Sequence, residues 1–494
     1  MNKISIDELI KRATNNKKII SSELFRPSDF YKLLNDPFWI WCRYHAPKEE
    51  QIEEIDRHGK IRMEQGVEFE KAWVTKTYPQ AEEVKAYYGI EAIKETLDLM
   101  IKGVDVIYQP HLSFLEKDIY GKGDLLVKST KASSDLGDYF YEVKEIKNSK
   151  KVKDYHKLQA GIYNYILGII QGFTPSEFGI VIKESEEKIE YDDENTKELL
   201  RYLDLWKGIK SNTEKPQPGG IDKTDSPWRI YANKVLTENQ DLTLIPDIGA
   251  VARDSISNKL KVSKVKDLES YTEDQLITLL RPGLGKKVYN HVLAYKMQEV
   301  IPTNNKVEKN DSNKRVFYFD VETSDDVNLT ELPHTYLIGL WDKGESKFKY
   351  FLGRGKQDEE KIFSEFLDYI GNPDDAVLYH WSHYEIGVID GAIEAYPRLA
   401  DRLRTLKESC KDLLSVVKDN FYIPVPTYSI KKVAPFLGFS WRQKEVNAFE
   451  SMVLYWEWLK NPDQKIIQKV LDYNEDDCVA MAYIDDKLFN KIKK

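Results

Sequence analysis

At 494 residues the chain exceeds what one hydrophobic core serves, and two to four domains is the expectation. Hydrophobic residues at 41% and charged residues at 31% indicate a soluble globular protein, and no apolar run reaches the roughly 20 residues that span a bilayer. A net charge of −9 neither announces nor excludes nucleic-acid binding, which needs a local basic surface and not a basic total.

The N-terminal MNKISIDELIKRATNNKK has no signal-peptide apolar region. The three cysteines, Cys42, Cys410 and Cys478, are far apart and odd in number, which fits a reducing cytoplasm better than a disulfide framework. Two polar stretches punctuate the chain: KSNTEKPQPGGIDKTDSPW, Lys210 to Trp228, and IPTNNKVEKNDSNKR, Ile301 to Arg315. They predict three pieces, 1–215, 216–300 and 312–494, in an α/β multidomain protein.

In the first piece, IRMEQGVEFEKAWV has a helical stripe of Met63, Val67, Glu70 and Val74 that turns Glu70 inward, as a metal ligand or as a lysine's ion-pair partner. IYGKGDLLVK places Asp124 at the start of an apolar strand. YFYEVKEIK reads as a further strand, with Glu142 and Lys144 on one face and Tyr141 and Val143 on the other. Acids that hold Mg2+ and a lysine that neutralises phosphate charge suit metal-assisted hydrolysis. The helix KDYHKLQAGIYNYIL sets Gln159 and Tyr163 on one face, for the site or for packing, after a basic run of Lys147, Lys150, Lys151, Lys153 and Lys157.

This D…ExK…QxxxY order resembles the PD-(D/E)XK nucleases of the RecB type, including the CRISPR-associated adaptation exonucleases, over about residues 20–215. The resemblance implies a restriction-endonuclease-like α/β domain with Glu70, Asp124 and Glu142 on the metal and Lys144, Gln159 and Tyr163 beside it. The family often has His where Glu70 stands. Some members bind an iron–sulfur cluster through one early and three later cysteines; Cys42 matches the early position, but SPWRIYA around Trp228 has no cysteine, so no iron–sulfur cluster is expected.

In the middle piece LTLIPDIGAVARDSI and ITLLRPGLGKKVYNHV share a layout of apolar run, Pro, turn and helix. The latter resembles a helix-hairpin-helix element in a small all-α domain. A tight turn at Gly283 and Gly285 is expected to leave backbone N–H groups free for a phosphate oxygen, with Lys286 and Lys287 adding charge and Gly249 closing the first copy's turn. Asp247 replaces the first Gly of that copy, and a purely structural hairpin pair is the alternative.

The third piece opens on the strand RVFYFDVET, where Asp320 and Glu322 share one face. Its last helix, QKIIQKVLDYNEDDCVAMAYIDDKL, carries Ile467, Val470, Asn474, Asp477, Met481, Ile484 and Leu488 on one stripe, with Glu475 and Asp476 expected in solvent and Tyr473 beside Asp477. Close acids in a low dielectric resist ionisation and call for divalent cations. DVET and YNEDD resemble the first and last motifs of the DEDD exonucleases, RNase H-like α/β enzymes, in the variant with Tyr in the last motif; TYSIKKVAPFLGFSW is similar to them too. In YHWSHYE, Glu385 stands where the family usually has Asp, and Ser382-x-x-Glu385 also fits a capping box. Asp412 fits a helix N-cap better than a fourth ligand, and Tyr473 serves either to orient water or as a packed tyrosine.

The resemblances imply a metal-dependent nuclease using Mg2+ or Mn2+ on single-stranded or frayed DNA, with an N-terminal nuclease centre and a C-terminal 3′→5′ exonuclease centre, in DNA repair or processing. The rival expectations are a nucleic-acid-binding adaptor with one active centre and an RNA-processing exonuclease. There is no GxxxxGK[ST] motif, so a helicase partner would be a separate chain.

Overall fold

The computed structural model describes residues 4–52, 57–183, 185–303, 314–324 and 333–489. The chain forms two compact units, Met1–Ala232 and Asn233–Lys494, where the punctuation predicts three. The polar stretch after Lys210 is packed and not a loose tether: Trp39 Nε1 donates to the Ser226 carbonyl at 3.0 Å, and Trp228 is buried. The helices expected as a separate middle domain belong to the second unit, where His291 meets Tyr422 edge-on and Lys418 Nζ reaches Asp247 at 3.2 Å. Of the second expected linker, residues 304–313 lie outside the described residues.

The first unit holds a six-stranded mixed sheet in the order Glu82–Glu83, Val106–Tyr108, Leu125–Ser129, Phe140–Ile146, Glu177–Val181, Glu186–Glu190. Leu125–Ser129 runs antiparallel to Phe140–Ile146 with Leu125 opposite Lys144, so Asp124 comes to lie across from Glu145. The helix Asp154–Gln171 covers the sheet because Leu158, Ile162, Ile166 and Ile170 recur every fourth residue and join Leu126, Tyr141 and Val143 in one core. In the helix Arg57–Thr77 the expected stripe fails over its first half: Met63 and Val67 are exposed. Only its later turns pack, with Phe69, Trp73 and Val74 against Val106, Tyr108 and Leu125.

The second unit is built on a five-stranded sheet ordered Lys347–Leu352, His334–Asp342, Arg315–Ser324, Ala376–His380, Cys410–Asp412. The first three strands are antiparallel; the last two add in parallel. Strand alternation sends Phe317, Phe319 and Val321 into one core with Phe363 and Phe366. Tyr318 points the other way, into a core with Met481, Ile484 and Leu488 of the helix Gln464–Phe489. Asp320 and Glu322 share the Tyr318 face and therefore face that helix. A smaller helical cluster, including Leu242, Ile256, Leu276, Val288 and Val292, precedes the sheet. No described helix is long and apolar enough to cross a membrane.

Candidate active sites

In the second unit the strand and the helix deliver their acids to one place. Glu322 and Asp477 are buried, at 5% and 8% exposure. Burial raises the pKa of Asp320 well above the carboxylate range, and Glu322, Asp477 and Glu385 push it further. Glu322 is raised by burial and then by Asp477; Asp477 is raised by burial, against the pull of Lys431. Asn474 Nδ2 donates to Asp320 Oδ2 at 2.7 Å. Gly339, opposite Asp320 across the sheet, makes that approach possible: a Cβ there would lie 1.6 Å from Asn474 Oδ1. Tyr473 is buried next to Asp477 on the same helix, with Lys431 Nζ 4.4 Å over its ring.

Glu385 is 3% exposed, and its Oε2 is buried without a hydrogen-bond partner, 3.6 Å from His380 Nδ1. The capping box does not form. The helix Tyr384–Ala395 takes His383 as N-cap with no side-chain hydrogen bond, because Ser382 adopts a left-handed φ of 88°. Asp412 is the N-cap of Leu413–Asn420, accepting from Leu414 N at 2.9 Å. Asp476, expected in solvent, is buried, because Arg442 from a distant segment folds over it with Nε 2.7 Å from Oδ1.

The first unit brings Glu70, Asp124 and Gln159 together but with a different E-x-K pair from the expected one. Glu145 is fully buried; its Oε2 accepts from Lys147 Nζ at 2.7 Å and from Gln159 Nε2 at 3.0 Å. Asp124 Oδ2 accepts from Ile146 N at 2.6 Å and lies 3.8 Å from Lys147 Nζ. Burial, then Asp124, pushes Glu145 up to about 8, and Glu70 is raised by the same two causes. Burial opposes the Lys147 charge, but Glu145 and Asp124 outweigh it and hold the ammonium on. Glu142 and Lys144 occupy the opposite strand face. Lys144 binds Glu186 at 2.6 Å and Tyr78 at 3.1 Å, and Glu142 lies 3.9 Å from Lys131. YEVKEIK contains two consecutive E-x-K pairs three residues apart, and an odd offset reverses the face. Tyr163 is buried, its hydroxyl donating to the Lys122 carbonyl at 2.8 Å.

The expected phosphate turn is also different. Gly283 and Gly285 lie in the first turn of the helix Pro282–Met297, capped by Arg281, and not in the turn itself. A Cβ on Gly285 would sit 2.4 Å from the Leu276 carbonyl oxygen, so this glycine serves helix–helix approach. Gly249 is the N-cap of Ala250–Leu260. Lys287 Nζ is held by Asp247 at 2.5 Å, whereas Lys286 is exposed.

Residues 317–489 match the family model of the RNase_H superfamily. No curated protein matches the chain. The match gives the second unit an RNase H-like domain and with it a nuclease-type chemistry on nucleic acid, generally run with divalent metal. It spans the strand of Asp320 and Glu322, the helix of Glu385 and the helix of Tyr473 and Asp477. Among the described residues no three His, Cys, Asp or Glu side chains stand gathered as a ready-made cage. The donors nevertheless fit a hard divalent cation: buried oxygens carrying excess negative charge, with Glu385 Oε2 unpartnered. Lys431, Asn474 and Trp441 complete the site; their signal in the sequence is the KK…W segment and a polar residue on the buried helix stripe.

Proposed function

We propose that the chain is a metal-dependent nuclease that hydrolyses DNA through two separate centres. The C-terminal centre is a DEDD-type 3′→5′ exonuclease in which Asp320, Glu322, Asp477 and Glu385 hold Mg2+ or Mn2+. The observation that carries this reading is the buried acid cluster inside the segment that matches the RNase_H superfamily. Bound metal supplies Lewis-acid neutralisation of phosphoryl charge. Tyr473, buried beside Asp477, orients the attacking water, and Asn474 holds the Asp320 carboxylate in one orientation.

The N-terminal centre is RecB-like, with Glu70, Asp124 and Glu145 as the acids and Lys147 as the cation that meets the scissile phosphate; Gln159 orients Glu145. The pair Glu145 and Lys147 replaces Glu142 and Lys144 in this role. The substrate is single-stranded or frayed DNA, in repair or processing, with a helicase, where one is used, on another chain. The helical segment around Lys286 adds contact to the phosphate backbone, independent of sequence.

Lys431 supports a second reading, a nucleic-acid-binding adaptor with one idle centre, because it already supplies Asp477 with a counter-charge. Hydrolysis of end-labelled and internally labelled single-stranded DNA, duplex DNA and RNA, each with Mg2+ and with EDTA, tests the proposal. Metal-dependent release from single-stranded DNA is expected. Full activity in chelator, or release from RNA alone, overturns it.

A further inference from the structure

Beside the first unit's acid cluster lies a cavity of about 650 Å³ whose lining includes Arg26, Tyr87, Tyr88, Lys122, Gln159 and Tyr163. Its size falls within the range of about 300–1,000 Å³ that small-ligand sites occupy. Gln159 joins cavity and acid cluster directly, since its amide donates to Glu145 Oε2 at 3.0 Å. Gly121 leaves one wall bare: a Cβ there would lie 2.6 Å from the Tyr163 hydroxyl and 2.7 Å from Pro27 Cδ.

The cavity presents two consecutive aromatic rings and two cations. Tyr87 is 95% exposed, an unusual setting for a large ring, and Tyr88 packs edge-on against Tyr120 with centroids 4.7 Å apart. The segment that carries them is anchored, because Lys85 N and Ala86 N both donate to the Glu95 carboxylate, at 3.0 and 2.8 Å, and Gly89 N donates to the Tyr120 hydroxyl at 2.9 Å. The backbone that carries the rings is therefore fixed, and Tyr120 holds the Tyr88 ring while the Tyr87 ring stands in solvent. Arg26 donates to Ser21 Oγ at 3.2 Å and Lys122 to Gln109 Oε1 at 3.1 Å; neither has an ion-pair partner among the described residues. In a chain with a net charge of −9, two cations that make no direct ion pair, of which Lys122 reaches Glu70 only through Gln109, equip this cavity to take up an anion from outside. Rings that stack on any base, with cations that follow a backbone, are the chemistry of single-stranded nucleic-acid binding.

We propose that this cavity seats an unpaired nucleobase of single-stranded DNA next to the phosphate presented to Glu145 and Lys147. Tyr87 and Tyr88 stack on the base, and Arg26 and Lys122 hold the flanking phosphates. A base-paired strand keeps its bases stacked inside the duplex, so the cavity selects unpaired strands. The inference rests on the reading of the first unit as a nuclease centre, and it adds to that centre a subsite for one unpaired base.

The test is photo-crosslinking of the full chain to a short single-stranded oligonucleotide carrying 5-iodouracil, in EDTA, with the attachment mapped by mass spectrometry. Attachment at Tyr87 or Tyr88 is expected. Tyr87→Ala with Tyr88→Ala should lower that attachment and weaken base-dependent binding about tenfold, with Tyr87→Phe and Tyr88→Phe restoring both. An abasic oligonucleotide of equal length should bind the alanine variant and the wild type alike. Attachment confined to other segments, or alanine variants that bind both oligonucleotides as the wild type does, overturns the subsite. Metal-dependent cleavage of internally labelled DNA by the same preparations separates the two readings. Cleavage without attachment at the tyrosines removes the subsite alone, and attachment without Glu145-dependent cleavage leaves the subsite and removes the nuclease centre.

Discussion

Lys431 Nζ donates to Asp477 Oδ1 at 2.5 Å, and the same oxygen accepts the Trp441 indole N–H at 2.6 Å. The ammonium also stands 4.2 Å over the Trp441 ring and 4.4 Å over the Tyr473 ring. One lysine is thus the counter-charge of a buried acid cluster, lodged between two aromatic faces.

Lys431→Met should destabilise the second unit in EDTA by about 1–2 kcal/mol. A fully buried pair costs about 3–5 kcal/mol to break, and the partial exposure of this lysine screens some of that. Mg2+ should then raise the melting temperature of the variant more than that of the wild type, because a cation bound by the acids replaces the missing charge. Thermal melts with and without Mg2+ check this; equal increments would show that Lys431 does not stand in for the cation, and no increment in either that the acids take up no metal.

The two consecutive E-x-K pairs give a direct comparison. Glu145→Gln or Lys147→Met should lower cleavage of circular single-stranded DNA at least about a hundredfold. Glu142→Gln and Lys144→Met should leave it within a few-fold, because these side chains bind Lys131, Glu186 and Tyr78 on the other face. Circular DNA has no ends, so the exonuclease activity proposed for the second unit does not contribute. The reverse ranking would restore the other pair.

Gly339→Ala should destabilise the second unit by about 1–3 kcal/mol through overpacking, since the new methyl group would overlap Asn474 Oδ1. Adding Asn474→Ala should recover most of that stability but not the removal of terminal nucleotides, because Asp320 then loses its Asn474 hydrogen bond. Denaturant melts of the two single variants and the double variant read the coupling.

His291 is 1% exposed, and burial, with Lys287 adding repulsion, lowers its pKa to about 3 from the ordinary 6.5. The folded value lies below the unfolded one. The stability contributed by a neutral His291 is therefore complete above about pH 6.5 and is lost as the pH falls toward 3. Asp320, Glu322 and Asp477 have raised values and act in the opposite direction, so the wild-type profile mixes both. The difference between wild type and His291→Phe isolates the histidine. It should change by at most about 1.4 kcal/mol per pH unit between those limits and be flat above them. A difference that stays constant from pH 7 to about 4 would mean that the ring titrates normally.

Much of the second unit is legible in the sequence because its patterns are local. RVFYFDVET alternates faces whatever it packs against, and the stripe from Ile467 to Leu488 repeats at helical steps, so the shared side of Asp320 and Glu322 and the inward position of Asp477 follow from backbone geometry. Asp476 departs from expectation on the same helix because Arg442, thirty-four residues upstream, covers it; helical periodicity carries no information about such a partner. Met63 and Val67 depart for a related reason, since an apolar stripe is buried only where another element arrives to cover it.

Residue types and their spacing alone determined that this chain carries two acid-rich strand–helix constellations, one of them inside the segment that matches the RNase_H superfamily. Tertiary structure decided which E-x-K pair faces Asp124, because register is a property of two strands and both pairs satisfy the same local pattern. It also decided that Gly285 serves a helix contact, that Lys287 is neutralised by Asp247, and that Lys431 enters the acid cluster. Each of these depends on what a distant segment brings within a few ångströms, and a one-dimensional pattern does not contain that distance.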